Sequence, residues 1–251
     1  MQTLYRNFRD RGWINILPLA DLHIGSAQAD VKLIRSLVDG ALRDPATYVV
    51  LNGDIIEAAT YGSAGNPYGQ TMPPGAQIQT AVEILRPLAE ADRILCIMDG
   101  NHEDRINRSN GISVAQNIAG QLRIDRACVE TAAVIFVDVG SVSYSIYVTH
   151  GSSSTCREVS SKINKLAQLA DSVDCDVYIS AHSHLPAIFR DGFIRIDRER
   201  RKAEKVDHLF VNAASALGYG GYAEANGYPP MSNVYPMITL DGNIRKSVVC
   251  A

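Results

Sequence analysis

The sequence predicts an α/β fold of two sheets, each covered by helices on its outer face. Short apolar, β-branched runs alternate with longer segments of helical spacing, the pattern of stacked βα units. The second half is richer in strands, several of them arranged as hairpins. With 251 residues and 46% hydrophobic content, the chain can bury a sizeable core as one domain spanning 1–251.

The elements follow in order. "INILPLA" (14–20) reads as a strand that stops at Asp21. "ADVKLIRSLVDGAL" places Val31, Ile34, Leu37 and Val38 on one helical face. "TYVVLNG" is the next strand and ends at Asp54. The Gly/Pro-rich stretch 60–75 cannot be regular structure. Helical spacing resumes with Ile78, Val82 and Leu85, and the buried strand "RILCIMDG" ends at Asn101-His102. "AAVIFVDVGSVSYSIYVTH" reads as a hairpin that turns at Gly140 and ends at His150. A helix over 157–172 should bury Val159, Ile163, Leu166 and Ala170. "DVYISAHSH" is a strand, and "AIFRDGFIRIDR", "HLFVNAA" and "MITLDGNIRKSVV" suggest a second sheet made of hairpins. A Gly/Tyr/Pro loop spans 218–230.

Composition narrows the function classes. A formal net charge of -3 argues against a broad field for nucleic acid or anionic membrane, although a local basic groove could hide in the average. The five cysteines (Cys96, Cys128, Cys156, Cys175, Cys250) form no C-x-x-C pair, which suits reduced thiols rather than a disulfide frame. "MQTLYRNFRDRGW" has no apolar signal region, and no run approaches ~18 apolar residues. A cytoplasmic protein with no membrane segment is expected; its oligomeric state is not legible.

The chemistry is positional. Five expected strands end in metal-capable residues: Asp21/His23, Asp54, Asn101/His102, His150, and His182/His184. Of the six histidines only His208 lies elsewhere. In open α/β sheets ligands bind beyond the carboxyl ends of strands. A donor set of His, Asp and Asn without Cys suits Mn²⁺, Fe, Zn²⁺ or Ni²⁺. Alternation would let His182 and His184, two residues apart on an extended segment, face one site.

In order, the chain reads D-x-H (Asp21–His23), G-D (Gly53–Asp54), G-N-H-E (Gly100–Glu103), H-G (His150–Gly151) and x-H-x-H (Ala181–His184). This resembles the calcineurin-like metallophosphoesterase superfamily, particularly its small stand-alone bacterial and phage members. That family's motifs run D-x-H, G-D, G-N-H-[D/E], H and G-H-x-H. The resemblance spans about residues 14 to 190, with one departure: Ala181 replaces the glycine of G-H-x-H. Local backbone adjustment, rather than loss of metal, is expected there.

The resemblance implies a four-layer α/β/β/α sandwich of two mixed β-sheets flanked by helices. It implies a hydrolase of phosphate esters with two divalent ions, Mn²⁺ foremost. Asp21, His23, Asp54 and His184 would hold one ion; Asp54, Asn101, His150 and His182 would hold the other. A hydroxide bridging both metals would be the nucleophile, and His102 would protonate the leaving oxygen or stabilise the transition state. Glu57 is either an orienter of His102, as in phosphoprotein phosphatases, or a solvated loop carboxylate. Arg105 matches those phosphatases' phosphate-gripping arginine, or else forms a surface ion pair; Arg108 is a weaker candidate. Their second arginine is Ala58 here.

Tyr61, Tyr68, Tyr219 or Tyr222 could stack on a base, or the two loops could simply cover sheet edges. A phosphodiester of nucleotide or nucleic-acid type is favoured slightly over a monoester. A catalytically silent scaffold and a nuclease needing a partner protein are the alternatives.

Overall fold

The computed structural model describes residues 1–61, 63, 67–151, 158–245 and 247–250, the last three without their side chains. Cys156 and the side chain of Cys250 therefore lie outside the described residues; Cys96, Cys128 and Cys175 are free thiols.

Eleven strands are described: β1 (Gln2–Phe8), β2 (Trp13–Leu19), β3 (Thr47–Asn52), β4 (Ile94–Met98), β5 (Ala132–Val139), β6 (Val142–Thr149), β7 (Val177–Ser180), β8 (Ala187–Asp197), β9 (Lys202–Asn212), β10 (Met237–Asp241) and β11 (Ser247–Cys250). The helices are α1 (Val31–Arg43), α2 (Pro74–Glu90), α3 (Asp104–Asn110), α4 (Val114–Leu122), α5 (Val159–Ala167) and the short α6 (Tyr222–Ala225). They build two mixed sheets flanked by helices. The first has the order β11-β10-β2-β3-β4, and the second β1-β5-β6-β7-β9-β8. Within the first sheet β2, β3 and β4 run parallel. Within the second, β6, β7 and β9 run parallel.

Strand alternation divides the apolar residues between two cores. Ile14, Ile16, Tyr48 and Val50 point toward the second sheet and meet Ile135, Ile146, Val177 and Val211. Leu17, Leu19, Val49 and Leu51 point the other way, onto α1, α2 and α4. Every residue of β3 is buried, as expected of a strand covered on both faces. Helix starts are written locally: Asp30 caps α1 by accepting from Leu33 N at 2.9 Å, and Ser113 caps α4 through Gln116 N at 3.1 Å.

The structure departs from the sequence reading in several places. The C-terminal hairpin belongs to the first sheet, because β10 pairs antiparallel with β2 and delivers Ile238 and Leu240 to the inter-sheet core. β1, α3 and α4 were not anticipated. β1 forms an edge strand, and its inward Arg6 donates to the carbonyls of Ile94 and Leu95, so its alternation is masked by a charge. The described residues of 60–75 include a 3-10 turn (Pro67–Gly69) and the start of α2, where Pro74 takes the first helical position. The outer helical layer is also uneven. α5 and the 3-10 turn after it cover only part of the second sheet, leaving Tyr5 and Phe136 exposed. On the expected face of α5, Leu166 is buried, Ile163 and Ala170 are half-buried, and Val159 is exposed. Among the described residues no helix is long and apolar enough to cross a membrane.

Ile146 lies at the centre of the inter-sheet core with no solvent exposure. Ile146→Val should cost about 0.5–1.5 kcal/mol and Ile146→Ala about 2–5 kcal/mol, read from urea midpoints at constant m. An alanine variant as stable as the parent would contradict this packing.

Candidate metal centre

The parallel strands of both sheets finish at one edge of the sandwich, and their next residues turn toward a common point. Pairing of β2 with β3 persists past the strand ends: Asp21 N donates to Gly53 O, and His23 N to Asp54 O, both at 3.0 Å. In the second sheet, Ala181 N donates to His150 O at 3.0 Å. The sheets are tied together by His182 N donating to Asp21 Oδ2 (3.0 Å) and by Ser215 Oγ, beyond β9, donating to Asp21 O (3.0 Å). The backbone is left-handed at Asp21 (φ 50°), His23 (46°), Asp54 (51°), His182 (66°) and His184 (54°). Such conformations in non-glycine residues cost of order 1–3 kcal/mol each and gather at functional sites.

Three groups of side chains bring ligand-capable atoms within 4.8 Å of one another: Asp21, His23, Asp54 and His184; Asp54, His150 and His182; and His23, Glu57 and His102. Asp54 belongs to the first two. Its Oδ1 accepts from His102 N at 2.9 Å, while Oδ2 faces His150 Nε2 at 3.4 Å. Asn101 Oδ1 lies 3.0 Å from His150 Nε2. His23 Nε2 and His184 Nε2 face each other at 3.3 Å. Asp21 Oδ1 is fully buried and has no hydrogen-bond partner among the described residues, although His184 Nε2 is 3.2 Å away. Opposed imidazole nitrogens and an orphaned buried carboxylate oxygen fit divalent cations with nitrogen and oxygen ligands.

The buried carboxylates and imidazoles are electrostatically paired. Burial works against charge on Asp54, but His150, His102 and His23 outweigh it and hold its carboxyl well below the usual range. His150 is pushed up to about 10, with burial opposing and Asp54 prevailing.

The surrounding layer corrects two sequence expectations. The Glu57 carboxylate does not principally orient His102: Oε2 lies 3.2 Å from His23 Nδ1, against 3.6 Å from Oε1 to His102 Nδ1. The backbone carbonyl of Glu57 holds His102 Nδ1 instead, at 2.9 Å. Nor do His182 and His184 use strand alternation. β7 ends at Ser180, and the two imidazoles stand on a turn in which Ser183 N donates to Ala181 O at 2.7 Å. The left-handed backbone falls on His182, while Ala181 lies outside that region and packs its methyl with Ala20 and Ala213. An alanine therefore sits there without strain.

Arg105 reaches the site: Nη1 donates to Glu57 O at 3.1 Å, and Nη2 lies 3.0 Å from His102 Nε2. Burial lowers His102 to about 4. Arg108 turns away to an exposed pair with Asp104.

Glu103 is a residue the sequence reading left without a role, although G-N-H-E contains it. Fully buried, it accepts from the backbone N–H groups of Asp54 (2.9 Å), Ile56 (2.8 Å) and Gly100 (2.8 Å). Burial nevertheless raises it to about 7. It clamps the two loops that carry Asp54 and Asn101. Gly100 is needed for that approach, since a Cβ there would collide with Asp54 Oδ1.

A cavity of about 870 Å³ opens over these residues, and its walls include Arg105, Lys162, Lys165, Tyr219, Tyr222 and Tyr228. Tyr61 and Tyr68 are almost wholly exposed and do not line it.

No family model matches the chain. No curated protein matches it either. Among solved structures it is similar to a predicted phosphoesterase from Streptococcus pneumoniae TIGR4, at 15% identity over 94% of this chain and 88% of that one, with a TM-score of 0.42. It is similar to Vps29 complexed with Zn²⁺ from Entamoeba histolytica, at 13% identity over 94% and 97%, with a TM-score of 0.46. A metallophosphoesterase from Sphaerobacter thermophilus aligns at 14% identity over 94% and 87%, with a TM-score of 0.42.

Glu103→Gln would set an N–H against a backbone N–H at the clamp. Destabilisation of about 1–3 kcal/mol should follow, seen as a lowered melting temperature, together with weaker Mn²⁺ binding by calorimetry. Unchanged melting and unchanged metal affinity would show that the loops do not depend on the clamp.

Proposed function

We propose that the chain is a metal-dependent phosphoesterase working with two divalent ions, and that phosphodiesters of nucleotides or nucleic acids are its favoured substrates. The observation that carries this reading is the membership of Asp54 in two adjacent ligand clusters, each drawing side chains from the strand ends of both sheets. Asp21, His23, Asp54 and His184 would hold one ion, and Asp54, Asn101, His150 and His182 the other. Mn²⁺ is the first choice; Fe, Zn²⁺ and Ni²⁺ suit the same donors. Bound there, such ions would bring a shared water's pKa toward neutrality and neutralise charge on the non-bridging phosphate oxygens.

The chain's own groups complete the chemistry. Glu57, accepting from His23 Nδ1, keeps the Nε2 lone pair of His23 directed at the cluster. With Nδ1–H given to Glu57 O, His102 Nε2 is an acceptor beside the Arg105 guanidinium. That arrangement supports stabilisation of a leaving oxygen by the His102–Arg105 pair over direct proton donation by His102. The guanidinium fork also suits a phosphate oxygen. The roomy cavity supports a diester with an organic group on each side of phosphorus.

Hydrolysis of bis-p-nitrophenyl phosphate and of a nucleotide and oligonucleotide panel by the Mn²⁺-loaded chain tests the proposal. Asp54→Asn should lower bound metal and abolish turnover, and persistent turnover would sink the two-ion scheme. His102→Ala should retain bound metal while kcat falls about 10²–10³-fold; loss of metal with it would make His102 a ligand instead.

A further inference from the structure

We infer that the cavity contains a subsite for the base of a nucleoside phosphate, formed by Tyr219 and Tyr222. This rests on the phosphoesterase reading and adds where the organic part of the ester sits. A volume of about 870 Å³ is far more than a phosphate group occupies and lies within the span, about 300–1,000 Å³, that encloses a drug-sized ligand. The His/Asp cluster occupies its floor. One wall is the run Tyr219-Gly220-Gly221-Tyr222 together with Tyr228: the rings of Tyr222 and Tyr228 lie 6.3 Å apart and 26° from parallel. Tyr219 and Tyr222 remain half-exposed, with ring surface available to a ligand.

The wall is built rather than draped. Gly218 N donates to Gln28 O at 2.8 Å, and Leu217 bridges Ala29, so the wall is fastened to the loop that leaves His23. Asn233 Nδ2 donates to Ser215 O at 2.7 Å, and Ser215 in turn holds Asp21 O. Gly221 has φ 58°, and a Cβ there would meet Gln28 Oε1 at 2.8 Å. The glycine lets the chain reverse between the two tyrosines against Gln28. The segment that carries the tyrosines is thus anchored beside the Asp/His cluster.

The cavity is also lined by Lys162 and Lys165 of α5, one turn apart, and Lys162 Nζ donates to Ser183 O between the two histidines. Aromatic rings, cations and the Asp/His cluster lining one cavity match a nucleoside phosphate. Every base presents a π-face, so the subsite would tolerate different bases.

The test is equilibrium binding of two hydrolysis-resistant phosphonates, the isosteres of AMP and of ribose 5-phosphate, to the Mn²⁺-loaded full chain. The nucleotide isostere should bind roughly tenfold more tightly than the sugar isostere. Tyr219→Ala/Tyr222→Ala should erase that difference without changing the sugar isostere's affinity, and Tyr219→Phe/Tyr222→Phe should preserve it. Equal binding of both by the parent chain overturns the subsite and leaves the phosphoesterase reading intact. Binding of neither also overturns it; if bis-p-nitrophenyl phosphate is not hydrolysed either, the phosphoesterase reading falls with it.

Discussion

The carboxylates of Asp21 and Asp54 lie almost wholly out of solvent at the edge where two sheets meet. Buried charges this close destabilise a fold unless opposite charge or directed hydrogen bonds answer them. Here the answer is a ring of imidazoles, with His184 Nε2 3.2 Å from Asp21 Oδ1, and backbone N–H groups from His102 and His182. The left-handed turns at the ligand positions, the Glu103 clamp and the close approach of Gly100 all hold that arrangement against the repulsion it contains. An arrangement so constrained is best explained by cations that it is built to receive.

The two-sheet architecture makes such a centre feasible. Parallel strands β2, β3 and β4 direct their carboxyl ends the same way, and β6 and β7 do so from the opposing sheet. Ligands two-thirds of the chain apart in sequence are thereby joined through a close-packed core that admits little movement. Rigidity in the floor is matched by variety above it. The cavity walls come from α5 and from the segment after β9, where Gly, Tyr and Pro dominate. The metal-capable side chains stand at the strand ends, and the more varied residues stand in these walls.

The charge distribution follows the same division. Net charge is slightly negative, yet Arg105, Lys162 and Lys165 all border the one cavity that holds the Asp/His cluster. Asp54 and Glu57 line the same cavity, so its charge is mixed rather than uniformly basic.

Much of this was legible in the sequence because apolar runs of strand length must be buried, and burying them forces the next polar residue to the sheet edge. That logic placed Asp21, His23, Asp54, Asn101, His102, His150, His182 and His184 at strand ends, while the division into ligands came only from the family resemblance. It could not see β1, where Arg6 interrupts the apolar alternation, nor assign β10 to the first sheet, since alternation records a buried face and not which sheet provides it. The geometry of His182 and His184 was equally hidden. Their spacing fits a strand, but a turn holds them, because backbone handedness depends on contacts with Asp21 and His150 far away in sequence. Four tyrosines were equivalent as letters. Only the docking of residues 217–222 against Gln28 and Ala29 decided that Tyr219 and Tyr222 border the centre while Tyr61 and Tyr68 face solvent. Local composition determined which residues could do chemistry, and long-range packing decided what they surround.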